Sequence, residues 1–240
     1  MKTAPATAMV LAAGLGTRLR PVTDTIPKPL VPVGGRALID HVLDRLVAAG
    51  VTRVVVNLHY KGEMIERHLG ARRDVELRFS PEPVLLDTGG GVARALPLLD
   101  EHFYVVNSDV LWLDTKLSAL ARLARAFDPA RDDAVLLLAR TTRALGYAGL
   151  GDFMLDPNAR LRRRGEREVA PHLFAGIQIL QRRLFDGAPE GAFSMNPLWD
   201  RAIAAGRIRG LVHDGEWFHV GSPEGLALTE ARLNTHRIER

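Results

Sequence analysis

Residues 9–13 form a short unbroken apolar run closed by Gly14, the pattern of a buried parallel strand. A stretch rich in Pro and Gly follows to Gly35. Leu38, Ile39, Val42, Leu43, Leu46 and Val47 then recur at helical spacing, and Gly50 stops that helix before a strand over 51–57. This β-loop-α-β opening is continued by strands predicted over 75–79 and 103–107 and by helical segments around 64–69, 92–98 and 117–127. Such alternation predicts an α/β fold, a Rossmann-like and mostly parallel sheet flanked by helices. Ligands of such folds bind at the carboxyl ends of the strands.

From Ala134 the pattern changes. Residues 135–139 read as another buried strand, but 145–155, 161–163 and 173–180 read as strands with little helix between them. Helix returns over 199–205 and strand over 208–212, and Ser222 with Pro223 opens the last helix as an N-cap followed by proline at its first position. The expectation is a single domain over 1–240, with a core of about 8–139 and 193–240 and a small β-rich extension of about 140–192 capping the site. No internal repeat or low-complexity linker interrupts it.

Composition narrows the class. With 240 residues, 47% of them apolar and 25% charged, the chain has the material for a large core and is too hydrophobic to be disordered. The absence of cysteine excludes disulfides, thiolate nucleophiles and Cys-ligated zinc, which matches a reducing compartment and makes the cytoplasm the expected location. The net charge of +4 comes from arginines spread along the chain rather than from one basic block, and it suits small anionic substrates as well as it would nucleic acid; no nucleic-acid partner is expected. The one local cluster, Arg160, Arg162, Arg163, Arg164 and Arg167, is interrupted by Gly165 and Glu166, lacks interleaved aromatics and reads as a solvated loop. The apolar N-terminal stretch runs into Gly14-Leu15-Gly16-Thr17-Arg18 instead of a cleavage site, and no stretch approaches the roughly 18 apolar residues of a membrane helix. No membrane association is expected.

The strongest chemical signal is Leu11-Ala12-Ala13-Gly14-Leu15-Gly16-Thr17-Arg18-Leu19-Arg20-Pro21, directly after the first strand. Glycines there let backbone N–H groups approach phosphate oxygens, and Arg18 offers a planar fork to the same atoms. It is not a dinucleotide fingerprint, because Leu19 stands where the third glycine belongs. It is not a P-loop either, because no Gly-Lys-Ser/Thr occurs. A second segment, Pro27-Lys28-Pro29-Leu30-Val31-Pro32-Val33, places Lys28 between two prolines, which predicts an extended backbone and a fixed ammonium suited to a phosphate group.

Together the two segments resemble the signature of the sugar 1-phosphate nucleotidyltransferases. The resemblance continues through Asp87-Thr88-Gly89-Gly90-Gly91, Asn107-Ser108-Asp109, Gly149-Leu150-Gly151-Asp152-Phe153, Phe174-Ala175-Gly176-Ile177 and Trp217-Phe218-His219-Val220-Gly221. The short chain and the Gly-x-Gly-Asp-Phe segment look most like the uridylyltransferases of bacterial cell-wall recycling that act on N-acetylmuramate 1-phosphate, with mannose 1-phosphate guanylyltransferases as the nearest alternative.

The resemblance implies a nucleoside triphosphate and a sugar 1-phosphate as partners, in a monomer or small homo-oligomer. By this analogy Leu11, Ala12, Ala13, Gly14, Gly16, Thr17 and Arg18 hold the nucleotide, and Glu82, Thr88 and Gly89 lie along its base. Lys28, Asp152, Gly176 and Trp217 face the sugar phosphate; Arg18, Lys28 and Asp109 carry catalysis. Asp109 is an implied ligand of Mg2+, with Mn2+ as an ion the site also accepts. The chain departs from the family at His219, where most members carry a second metal-binding aspartate. Three readings stay open there: His219 ligates metal directly, Asp109 with substrate oxygens and water suffices, or the metal site is impaired. The last of these admits a regulatory subunit that binds a sugar nucleotide without turnover. A phosphocholine cytidylyltransferase would want an aromatic cage, which 6% aromatic content disfavours.

Overall fold

A computed structural model describes residues 4–238. The first part of the chain gives β1 (Thr7–Leu11), α1 (Val22–Thr25), β2 (Pro32–Val33), β3 (Arg36–Ala37), α2 (Leu38–Ala48), β4 (Arg53–Leu58), α3 (Gly62–Leu69), β5 (Glu76–Pro81), α4 (Asp87–Ala95), β6 (His102–Asn107), β7 (Val110–Leu113) and α5 (Ala119–Ala126). It continues through β8 (Ala134–Arg140), β9 (Ala144–Leu145), β10 (Phe153–Leu155), β11 (Leu161–Arg163), β12 (His172–Gln181), α6 (Asn196–Ala204), β13 (Ile208–Val212), β14 (Glu216–His219) and α7 (Pro223–Ile238).

Nine strands form one mixed sheet. Strands β5, β4, β1 and β6 lie side by side and parallel. Strand β12 then runs antiparallel to both β6 and β8, and β13 closes that edge parallel to β8. Within the segment 140–192, β12 is thus an inner strand of the sheet, while β10 and β11 add to it beside the start of β12.

The period-2 alternation of the inner strands sends side chains into two separate layers. Ala8, Val10, Val54, Val56, Tyr104 and Val106 pack with Leu43 and Leu46 of α2, Ile65 and Leu69 of α3 and Leu120 and Leu123 of α5. On the other face Met9, Val55, Phe103 and Val105 pack with Val92 and Ala95 of α4 and Leu198, Trp199 and Ala202 of α6. Both faces of the sheet are therefore covered, which is why its strands read as unbroken apolar runs. Full burial of each Val, Leu, Ile, Phe or Met side chain among these stabilises by about 1.5–3 kcal/mol.

Three expectations are corrected. The strand expected over 9–13 spans Thr7–Leu11, because the N–H of Ala12 is taken by Asn57 Oδ1 at 2.7 Å instead of a neighbouring strand. The strand expected over 145–155 is split into β9 and β10, since Gly146 and Gly151 both adopt φ +76°, which turns the chain out of the sheet. Lys28 is not extended: Leu30 N–H donates to Pro27 O and Val31 N–H to Lys28 O, closing a 3₁₀ turn over Lys28–Leu30. The N-cap at Ser222 is present, with its Oγ accepting from Gly225 N–H at 3.2 Å. Strands β7, β14 and β9 form a second, three-stranded sheet that the hydrophobic pattern did not announce. No helix among the described residues is long and apolar enough to cross a membrane.

His213 is 4% exposed, and burial holds its imidazole below the ordinary range despite neighbouring carboxylates and carbonyls. In the unfolded chain it takes up a proton near pH 6.5, whereas in the folded chain it does so only lower. Its contribution is therefore intact above that pH and is lost as pH falls, at a slope approaching about 1.4 kcal/mol per pH unit. Urea midpoints measured from about pH 7 down to about pH 5 are expected to fall more steeply for the wild type than for His213→Gln; equal slopes would refute this.

Candidate active site

A cavity of about 540 Å³ opens at the carboxyl ends of β1, β4 and β6. The loop after β1 forms one wall, from Leu11 through Ala12, Ala13, Gly14, Gly16 and Thr17 to Arg18, and Lys28, Asn57, Glu82, Thr88 and Asp109 complete it.

The loop is pinned at both ends. Ser108 donates to Leu11 O from its N–H at 3.1 Å and from its hydroxyl at 2.7 Å, tying the end of β1 to the end of β6. At the other end Thr23 Oγ1 donates to Gly16 O at 2.8 Å, and Gly16 sits at φ +65°, where a Cβ would stand 2.9 Å from Thr23 Cγ2. A side chain at Gly16 is thus disfavoured by both backbone and space. A Cβ at Gly14 would meet nothing within 4 Å, so its lack of a side chain leaves free room facing the cavity. Arg18 is exposed and has no ion-pair partner among the described residues.

Lys28 is 8% exposed and its Nζ lies 2.7 Å from Asp109 Oδ2. The two-proline segment and the strand-end aspartate, 81 positions apart, therefore meet inside the cavity. Farther along the wall, Asn57 Oδ1 accepts from Ala12 N–H at 2.7 Å while Asn57 Nδ2 donates to Glu82 Oε1 at 2.7 Å. Glu82 Oε2 accepts from Leu86 N–H at 2.9 Å. This chain of bonds links the ends of β1, β4 and β5 to the start of α4 and satisfies a buried carboxylate without a cation. Sequence reasoning missed Asn57. Its signal was available: one amide directly after the apolar run Val54-Val55-Val56.

Beside this network, Asp87 adopts φ +58° and its Oδ1 accepts from Thr88 N–H at 2.6 Å. Thr88 Oγ1 accepts from Met195 N–H at 3.0 Å. Gly89 lies off the cavity wall: its N–H donates to Phe193 O at 2.8 Å, and a Cβ there would stand 2.4 Å from the Phe193 ring.

The three further residues that the resemblance places at the sugar converge on one turn of β12, outside the cavity lining. Asp152 Oδ2 accepts from Phe174 N–H at 2.8 Å, and Trp217, 4% exposed, donates from Nε1 to Ala175 O at 2.9 Å. Gly176 has φ +76° where the register of β12 against β8 shifts, and a Cβ there would stand 2.8 Å from Val110 Cγ1. Asp152 and Trp217 thus hold the irregular part of β12 in place.

His219 ends β14, its ring 5.9 Å from that of Trp217 and 6.3 Å from that of Tyr147. Burial lowers its pKa; Asp109 opposes that, and Lys28 and Arg18 reinforce it. The imidazole thus keeps a free lone pair to lower pH than an exposed one. Among the described residues no group of three or more His, Cys, Asp or Glu is placed to hold a metal ion. The donor set fits a hard divalent cation held by the Asp109 carboxylate and otherwise by phosphate oxygens and water, the usual way magnesium is bound beside phosphates.

A glycine-rich loop, a buried lysine and a strand-end carboxylate thus meet at one end of the sheet, an arrangement suited to gathering and neutralising phosphate charge. Residues 7–156 match the Nucleotidyl transferase family, and the chain belongs to it. It is 46% identical over 239 residues to the N-acetylmuramate alpha-1-phosphate uridylyltransferase of Caulobacter vibrioides, covering 97% of this chain and 99% of that protein. Identity to the enzyme of the same name from Neisseria meningitidis is 38%, over 90% of this chain and 93% of that protein. The mannose-1-phosphate guanylyltransferase of Mycobacterium tuberculosis is 29% identical, over 97% of this chain and 66% of that protein. The fold is shared with a UDP-glucose pyrophosphorylase solved with UDP-glucose, at a TM-score of 0.79 and 16% identity over 98% of this chain and 100% of that one. HddC from Yersinia pseudotuberculosis, solved with GMP-PN, gives 0.76 at 22% identity over 95% and 99%.

Proposed function

We propose that this chain transfers a uridylyl group from UTP to N-acetylmuramic acid 1-phosphate, forming UDP-N-acetylmuramic acid and pyrophosphate in the cytoplasm. The observation that carries this reading is the 46% identity to the Caulobacter uridylyltransferase over almost the full length of both chains. The guanylyltransferase reading rests on 29% identity to a longer protein, of which 66% is covered.

In this reading an oxygen of the sugar phosphate attacks the α-phosphorus in line and pyrophosphate leaves from the opposite side, so the new P–O bond replaces the α–β bridge. The attacking phosphate is already anionic near neutral pH and needs no general base, which makes the barrier chiefly one of repulsion between anions. Backbone N–H groups of Gly14, Gly16 and Thr17 and the guanidinium of Arg18 hold the triphosphate. Lys28, buried against Asp109, stands ready to neutralise charge between the two substrates. Glu82, oriented by Asn57 and Leu86, faces the base. Magnesium, held by Asp109 together with phosphate oxygens and with His219 nearby, supplies further charge neutralisation when bound.

The test is a panel of triphosphates against sugar 1-phosphates, read by product mass and pyrophosphate release. UTP with N-acetylmuramic acid 1-phosphate is expected to give the highest kcat/KM. A preference for GTP with mannose 1-phosphate would move the assignment to the guanylyltransferases. Thermal stabilisation by ligands without any turnover would mark a binding subunit.

A further inference from the structure

A second cavity, of about 300 Å³, is lined by Arg122, Arg140, Arg143, His213, Asp214 and Trp217. It lies at the carboxyl ends of β8 and β13, beyond the far end of the β7–β14 ribbon. That ribbon pairs His219 with Val110 near the reaction cavity and Glu216 with Leu113 at its other end, so about 10 Å of strand separates the two.

The charges in this cavity do not cancel. Arg122 is held by Asp214 Oδ1 at 2.6 Å and by Val212 O at 3.0 Å. Arg140 and Arg143 are exposed and have no hydrogen-bond or ion-pair partner among the described residues. Asp214 is the one carboxylate on the lining, and it already serves Arg122. Two guanidinium groups therefore share a concave space in which no carboxylate pairs with them. The same lining holds a further unmet group: His213 is 4% exposed, its Nε2 lies 3.2 Å from both Leu113 O and Glu216 O, and its Nδ1 is buried with no partner. With Nε2 donating to those carbonyls, Nδ1 is left as an acceptor.

Paired guanidinium forks in a partly enclosed space are the arrangement that binds tetrahedral oxyanions bidentately, and the volume sits at the small end of the range for ligand pockets. We propose that this second cavity binds a phosphoryl group, free phosphate or a small phosphate monoester, at Arg140 and Arg143, separately from the nucleotide and sugar phosphate. A protonated phosphoryl oxygen has in His213 an acceptor of the right kind, and Trp217 offers an apolar wall to an ester group.

The test is calorimetric titration of the full chain with inorganic phosphate. Arg18→Ala serves as background, so that phosphate held by the reaction loop does not obscure the result. Binding is expected to survive in Arg18→Ala and to weaken about tenfold or more when Arg140→Ala and Arg143→Ala are added, the scale of losing two charge-assisted pairs. A Lys pair at the same positions, keeping charge but losing the forks, is expected to fall between the two and also guards against a folding defect in the alanine variant. Glycerol 3-phosphate distinguishes the sources: tighter binding than phosphate assigns the site to a monoester, and equal binding to free phosphate. Absence of phosphate binding in Arg18→Ala, or binding there that ignores Arg140 and Arg143, would overturn the proposal.

Discussion

Lys28→Ala is expected to lower kcat about a hundredfold or more while leaving the chain folded, the scale of removing one preorganised group that stabilises charge in the transition state. The structure sharpens the reason. Lys28 is not a loop lysine in water but a side chain 8% exposed, with its ammonium 2.7 Å from Asp109 and on the wall of the main cavity. Its position is fixed by a 3₁₀ turn and by the packing of Gly16, whose absent Cβ would stand 3.2 Å from Lys28 Cβ. A group fixed in this way undergoes little reorganisation as charge develops, so its loss acts mainly on kcat and less on KM. Pyrophosphate release under saturating substrate measures the effect, and a melting curve checks the fold. Rates near those of the wild type in a folded Lys28→Ala protein would remove Lys28 from the mechanism.

The parts of this site that were legible in the sequence are those whose chemistry is local. Glycines after an apolar run announce a phosphate-sized loop because the backbone itself is the binding group, and Gly16 at φ +65° is such a position. Lys28 and Asp109 were each legible as separate residues, but not their contact, since nothing in either segment encodes a pairing across 81 positions. Asn57 went unnoticed because a single amide at a strand end has no periodicity of its own. Its role emerges only when β4 lies beside β1 and its side chain reaches Ala12. The region after residue 140 was the hardest to read. There the apolar residues serve short strands interrupted by glycines at φ +76°, so Trp217 and Asp152 looked like ligand residues while their hydrogen bonds go to the backbone of β12. The arginine cluster is not simply a solvated loop: Arg162 and Arg163 belong to β11, where Arg162 pairs with Glu168 six residues on while Arg163 reaches Asp200 of α6.

Asp109→Asn is expected to reduce kcat/KM by about a thousandfold or more with either magnesium or manganese, because it removes the carboxylate oxygen that a hard cation requires and keeps the size of the side chain. The amide can still accept from Lys28, so the geometry of that contact is preserved and the charge alone is tested. His219→Ala is expected to cost less. His219 carries no charge in its neutral form, and burial favours that form with Lys28 and Arg18 adding to the effect. A hard cation gains less from imidazole than from carboxylate oxygen. If imidazole contributes directly, its loss shows as a fall in activity with manganese, which accepts nitrogen more readily, larger than the fall with magnesium. His219→Asp then restores a second oxygen donor and shifts the preference toward magnesium. Equal losses for Asp109→Asn and His219→Ala would mean that the two side chains act as one unit, whereas substantial activity in Asp109→Asn would overturn Asp109 as the residue on which charge neutralisation at this site depends.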